Sequence, residues 1–319
     1  MRATPFLGLC LLTTYAIAQT PSAPGARPGG DPLDKAKTAA YYLRYADEVR
    51  AKQQMEKTRT ALTPHKYGQA LAREATINLD ATWGRFVTAG GTPFVAVQVA
   101  LPDGTKPGTA LTFFGQLLDD DGRVLTDFEV PATALESKGD VFVEHSLLAA
   151  EGVAARFGVA KGDQILGVSK SELATVNDTN PAAREISQLI VSNNVFNMPE
   201  AQKPFEPFAF GGTKVVPKPN RAFRPADEAW LFVELREQDP KAPVPAVSIR
   251  AAVEGEGRKI AGVWQAAEVL PLKGVAGHYG VGTTVDLSSL RPGEYRVTLS
   301  VRDEAAKETF ERVQTISIR

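Results

Sequence analysis

The chain has 319 residues, 43% of them hydrophobic and 23% charged, with 36 Lys plus Arg against 37 Asp plus Glu. That length holds about two ordinary domains and an arm, and the composition excludes wholesale disorder and a bundle of membrane helices. A charge balance this near zero, with no long basic run, removes the electrostatic footprint of a nucleic-acid binder.

Residues 1–18 read as a secretory signal. Arg2 precedes the apolar run from Phe6 to Leu12, and Ala16-Ile17-Ala18 supplies a small-residue cleavage site before Gln19. Two other readings are a short buried helix and a lipoprotein signal ending at Cys10. Against the second, Leu9 is large for the position before a lipidated cysteine, and the apolar run would be cut in half. Cys10 is the only cysteine, so cleavage leaves no disulfide, no thiolate and no cysteine-ligated metal. Hydrophobic cores must then hold the exported chain, and domains of this size supply them. No later stretch is long and apolar enough to span a membrane as a helix. The expected setting is periplasmic or extracellular.

Residues 19–32, rich in Pro, Gly, Ala and Ser, read as a flexible leader. Residues 33–77 read as an α-helical arm. Up to Leu62 there is no Pro or Gly, and Ala36, Ala39, Ala40, Leu43 and Ala46 recur at helical spacing. Thr63-Pro64 then caps and opens a second helix to about Ala75. An alanine face buries little area alone, so the arm is expected to dock, either on the adjoining domain or on a partner or second copy.

Beyond Asn78 the apolar period falls to two and turn residues punctuate short runs: Phe94 to Val99, Leu111 to Leu118, Val141 to Leu147 and Val153 to Val159. This predicts a β-sandwich over 78–192. Residues 193–224, with Pro199, Pro204, Pro207, Pro217, Pro219 and Gly211-Gly212, read as a linker. A second, immunoglobulin-like sandwich is expected over 225–319. Its strands begin near Trp230, Val247, Ile260, Tyr279, Tyr295 and Val313. The fold class is mainly β, two tandem immunoglobulin-like sandwiches after a helical arm, with each sandwich folding on its own.

Three segments recur in order. Leu118 to Leu125, an acidic-glycine hairpin, matches Val253 to Ile260; Val153 to Val159 matches Tyr295 to Val301; and Val97-Gln98-Val99 matches Val233-Glu234-Leu235. The offsets are 135, 142 and 136, which favours a duplicated sandwich over chance alternation.

The last third resembles the C-terminal β-sandwich of exported bacterial proteins that carry GWxTD or von Willebrand factor A-related domains. The resemblance rests on Pro207-Phe208-Ala209-Phe210-Gly211-Gly212, Phe223-Arg224-Pro225-Ala226-Asp227-Glu228 and Leu290-Arg291-Pro292-Gly293-Glu294-Tyr295-Arg296-Val297, and extends over residues 80–319. Neither the Gly-Trp-x-Thr-Asp segment nor the Asp-x-Ser-x-Ser start of a metal-ion-dependent adhesion site occurs here. It therefore implies a sandwich and an extracytoplasmic setting, and no catalytic residues.

No local motif carries chemistry. His65, His145 and His278 have no partner histidine at metal-ligand spacing, and no Gly-x-Ser-x-Gly elbow is present. Asp119, Asp120 and Asp121 before Gly122 are calcium candidates through their carboxylates. The EF-hand pattern fails, and a type I′ Asp-Gly turn with solvated carboxylates accounts for the same residues. The paired and clustered glycines lack the strand-to-helix context of nucleotide loops, and no cofactor is implied. Trp83, Trp230, Trp264 and Tyr279 read as core aromatics, or as sugar-stacking residues if exposed on one face. The reading these observations support is a non-enzymatic extracytoplasmic binding or scaffolding protein. Its partner would be another exported or envelope protein, or a second copy engaged through the arm. A carbohydrate-binding module is the alternative, and a hydrolase with an unrecognised site comes after it.

Overall fold

A computed structural model describes residues 46–54, 67, 71, 78–88, 92–119, 121–148, 154–171, 184–198, 205–210, 212–237, 239, 242–272 and 277–319. The signal, the leader, most of the arm, His65 and Asp120 lie outside the described residues. The described residues belong to one compact unit, Leu43–Arg319.

The chain is mainly β, two immunoglobulin-like sandwiches in tandem after a short helix. The first sandwich contains β1 (Ala81–Val87), β2 (Pro93–Ala100), β3 (Ala110–Leu118), β4 (Val124–Thr133), β5 (Leu135–Ser137), β6 (Asp140–Leu148), β7 (Ala154–Lys161) and β8 (Gln164–Ser171). They form two four-stranded sheets, β1-β2-β6-β5 and β4-β3-β7-β8. The second contains β9 (Arg184–Ile186), β10 (Ile190–Asn197), β11 (Ala209–Phe210), β12 (Thr213–Pro217), β13 (Ala222–Phe223), β14 (Glu228–Glu237), β15 (Val247–Gly255), β16 (Arg258–Ala261), β17 (Gln265–Ala266), β18 (Val269–Pro271), β19 (His278–Asp286), β20 (Gly293–Asp303) and β21 (Thr309–Ile318). Their sheets run β11-β12-β10-β14-β19-β18, with β9 also on β14, and β13-β21-β20-β15-β16, with β17 also on β15.

Within the second sandwich the orders β10-β14-β19-β18 and β16-β15-β20-β21 repeat, strand for strand, the two sheets of the first. Each of the three recurring sequence segments falls on strands that are equivalent in this sense: β2 with β14, the β3–β4 hairpin with the β15–β16 hairpin, and β7 with β20. Strand alternation builds the two inner cores. Val95, Val97 and Val99 join Phe113, Phe157 and Val159 in one; Val233, Leu235, Tyr295, Val297, Leu299 and Val301 meet in the other.

Tyr295 forms a tyrosine corner at the entry to β20, as immunoglobulin-like sandwiches use it. Its ring is 1% exposed and its hydroxyl donates to the Arg291 carbonyl at 3.0 Å. Tyr295→Phe keeps the ring and removes that bond. The expected cost is about 1 kcal/mol, read as a lower urea midpoint at an unchanged slope.

The two acidic-glycine hairpins differ in a way their sequences do not announce. Glu256 and Gly257 both have positive φ, 48° and 69°, which gives the second hairpin the two-residue I′ turn. In the first, Gly122 is the one left-handed residue among those described, at 76°. Gly122 N donates to Asp119 O, Asp119 N donates to Arg123 O, and the register shifts at Leu117/Leu118. That is a longer bulged loop in place of the expected I′ turn.

The sandwiches also share a third core. Phe86, Phe94 and Ala96 from the outer face of the β1-β2-β6-β5 sheet pack with Ile190, Phe205, Phe208, Phe210, Val215, Phe232 and Leu272 of the second sandwich. Sheets covered on both sides read as near-continuous burial, and β2 is buried from Phe94 to Val99. The stretch 193–224, expected as a linker, holds the second part of β10 and all of β11, β12 and β13. Its Phe205 and Phe208, at φ 60° and 52°, turn into this shared core, where they are 7% and 0% exposed. β9 and β10, which begin before residue 193, pair with β14 of the second sandwich.

Residues 46–54 are helical, and this helix docks on the shared core. Ala51 packs against the phenylalanines, and the Thr88 hydroxyl donates to the buried Glu48 carboxylate. The inward side is thus the buried Glu48 and the half-buried Ala51; Ala46, from the expected alanine face, is exposed. Further along, Tyr67 stacks on Phe114 with ring centroids 4.6 Å apart and donates to Gly162 O at 2.6 Å. Gly158 makes room for that stack, since a Cβ there would lie 2.2 Å from Phe114 Cζ.

Candidate functional site

The register of β1, β2 and β6 grades the face that the first sandwich turns toward the second. Phe86, Phe94 and Leu148 form one cross-strand row, Gly84, Ala96 and Ser146 the next, and Thr82, Gln98 and Glu144 the third. The first row enters the phenylalanine core, the second is small enough for Ile190 to approach, and the third is polar.

Lys214 of β12 meets the polar row. Its ammonium, 6% exposed, donates to Glu144 Oε1 at 2.8 Å, Glu206 Oε1 at 3.3 Å and Pro207 O at 2.6 Å. All three of its protons therefore have acceptors. Burial raises the Glu144 pKa, with Lys214 opposing it and Glu206 adding to it. Glu144 Oε2, both polar atoms of the Gln98 amide and Ser146 Oγ find no hydrogen-bond partner among the described residues. Beside them Lys218 pairs with Asp140, Lys138 donates to Asn193 O, Asn194 Nδ2 donates to Ser137 Oγ at 2.8 Å, and Arg221 donates to Ala81 O at 2.9 Å.

A second polar group flanks the phenylalanines through β14. Alternation places Trp230, Phe232, Glu234 and Arg236 on the face opposite Leu231, Val233 and Leu235. His278 Nδ1 lies 2.5 Å from Glu234 Oε1, and Arg236 donates to both Glu234 oxygens at 3.2 and 3.3 Å. Arg236 also donates to Arg85 O at 2.6 Å, which ties the group to the first sandwich. Burial alone would raise the Glu234 pKa; the His278 hydrogen bond and the Arg236 charge outweigh it and hold the carboxyl below its ordinary range. His278 has no local partner along the chain, and the structure supplies one 44 positions away. The signal was an acid on the outer alternation of an otherwise apolar strand. Among the described residues no hydroxyl is hydrogen-bonded to His278.

His145 faces Phe113, with ring centroids 5.8 Å apart, and burial lowers its pKa to about 4, so the imidazole is neutral. Asp119 works as a turn former: its Oδ1 accepts from Asp121 N at 3.0 Å and Arg123 N at 2.7 Å. Its carboxylate is thus not simply solvated, and Asp121 pairs with Arg123 at 3.4 Å. Among the described residues no group of three or more His, Cys, Asp or Glu is placed to hold a metal ion, and no helix is long and apolar enough to cross a membrane. Trp83 packs on the first inner core and Trp230 on the shared one, stacked with Phe232 at 6.2 Å. Trp264 differs. It lies on the outer sheet with the Arg250 and Arg302 guanidinium carbons 4.9 and 4.5 Å from its ring centroid.

No family model matches the chain, and no curated protein does. Solved structures similar to it include two with 10% identity and a TM-score of 0.25 each. One is a Bacteroides uniformis β-glucuronidase 2 covalently bound to cyclophellitol-6-carboxylate aziridine, and the other a Bacteroides uniformis β-glucuronidase. Each match covers 80% of this chain and 28% of the other.

Proposed function

We propose that this chain is a non-enzymatic binding or scaffolding protein working outside the cytoplasm, with another exported protein as its partner. What supports the reading most is the shared phenylalanine core, which joins two sandwiches into one body with fixed outer faces. A joint held by aromatic packing and two polar groups resists the relative domain motion that a small polar interface would permit. The polar groups point into that joint, where they hold strands together. Export rests on residues 1–18 of the sequence.

The test is fractionation of the native cells with N-terminal sequencing, followed by chemical cross-linking of the intact envelope. The expected result is a chain beginning at Gln19 outside the cytoplasm, joined stoichiometrically to an exported protein that binds it again when both are purified. A cytoplasmic chain that keeps residues 1–18 would contradict the reading.

A further inference from the structure

We propose that the outer face of the β13-β21-β20-β15-β16 sheet carries a docking point for an acidic segment of a partner protein, centred on Arg250 and Trp264. This deepens the binding reading above and rests on it.

The site is made by an irregular edge. β16 and β17 both pair with β15, but the ladder breaks between them: Gly262 N donates to Ala251 O at 2.8 Å and pairing resumes at Gln265 with Ile249. Val263 and Trp264 therefore stand opposite the single residue Arg250, a β-bulge on an edge strand. The bulge leaves Val263 79% exposed, more than any other large apolar residue described, and lays Trp264 over the sheet against Arg250 and Arg302.

The two arginines are not equivalent. Arg302 is answered by Glu304, at 3.0 Å from both its Nε and Nη2. The Glu304 carboxyl is held down at about 2 by the Ser248 hydroxyl, Lys307 and Arg302. Arg250 makes no hydrogen bond or ion pair with a described residue; its one contact of this kind is the Trp264 ring. A half-buried guanidinium fixed over an aromatic ring keeps its fork of donors for a planar oxyanion, and a carboxylate fits it in two parallel bonds. Tryptophan and arginine are also the residues most enriched where protein partners bind tightly. Along the edge of β16 and β17 that pairs with no described strand, an extended partner segment can lie against Val263 while an acidic side chain reaches Arg250.

The probe is poly-L-glutamate, titrated by calorimetry into the full chain, with polygalacturonate as the carbohydrate that bears the same carboxylate. Saturable poly-L-glutamate binding is expected, weakened about tenfold or more in Arg250→Gln. It should be unchanged in Arg123→Gln, on the β3–β4 hairpin of the first sandwich, with melting temperatures confirming that both variants fold. Equal binding by wild type and Arg250→Gln, or no saturable binding, would overturn the site. Tighter binding of polygalacturonate through Arg250 would overturn the protein partner in favour of a carbohydrate. If Arg250→Gln still binds the exported partner recovered from the envelope, this site is wrong while the binding reading stands.

Discussion

Phe86→Ala should lower the stability of the whole protein by about 3–5 kcal/mol, and the loss should be felt in both sandwiches. Phe86 is 3% exposed and its ring meets Phe94 of its own sheet at 5.6 Å. Across the joint it meets Phe208 at 5.7 Å and Phe210 at 5.5 Å, both edge-on. Removing it opens a cavity bounded by residues of both sandwiches, and close-packed side chains refill such a space only in part. Amide hydrogen exchange under native conditions separates this from an ordinary core lesion. Protection should fall together in β2 and β14. A fall confined to β1 and β2 would show that the joint contributes nothing to the second sandwich.

Lys214→Met should cost a similar amount, about 3–5 kcal/mol, because it leaves a buried carboxylate without its counter-charge. Glu144 and Glu206 then face one another with the Pro207 carbonyl and no cation between them. Glu144, already raised by burial, loses the group that opposed the rise. A carboxyl with a raised folded-state pKa favours folding while it is protonated and loses that advantage as pH climbs through the folded value. The variant's deficit should therefore shrink toward acid pH and widen toward neutrality, measured as urea midpoints across the carboxylate range. The double change of Lys214→Met with Glu144→Gln should recover part of the loss. A deficit that does not vary with pH would mean that Glu144 stays ionised and that another contact of Lys214 accounts for the cost.

The strands that face one inner core were legible because their apolar residues alternate: Val95, Val97 and Val99 in β2, and Tyr295, Val297, Leu299 and Val301 in β20. The repeat was legible for the same reason, since equivalent strands carry the same alternation and the same hairpin chemistry. The shared core was harder to see. In β2 its members, Phe94 and Ala96, occupy the other alternation of a strand already assigned to a core, and doubly apolar alternation was the one clue. Phe205, Phe208 and Phe210 sit among prolines and glycines, which composition reads as a connection, and two of them reach the core only through left-handed backbone. Short strands such as β11 and β13, two residues each, carry no periodicity to read. The polar groups were not legible, because Glu144 and Lys214 are 70 positions apart and Glu234 and His278 are 44 apart. Trp264 read as a strand residue; the bulge that lays it across Arg250 depends on the register of β16 and β17 on β15.

The shared core makes one claim above the rest: the two sandwiches unfold as one body. Differential scanning calorimetry of the full chain tests this directly. The expected result is a single transition whose calorimetric enthalpy equals its van't Hoff enthalpy, moved to lower temperature as a whole by Phe86→Ala. Two resolved transitions, one of them unmoved by Phe86→Ala, would contradict it.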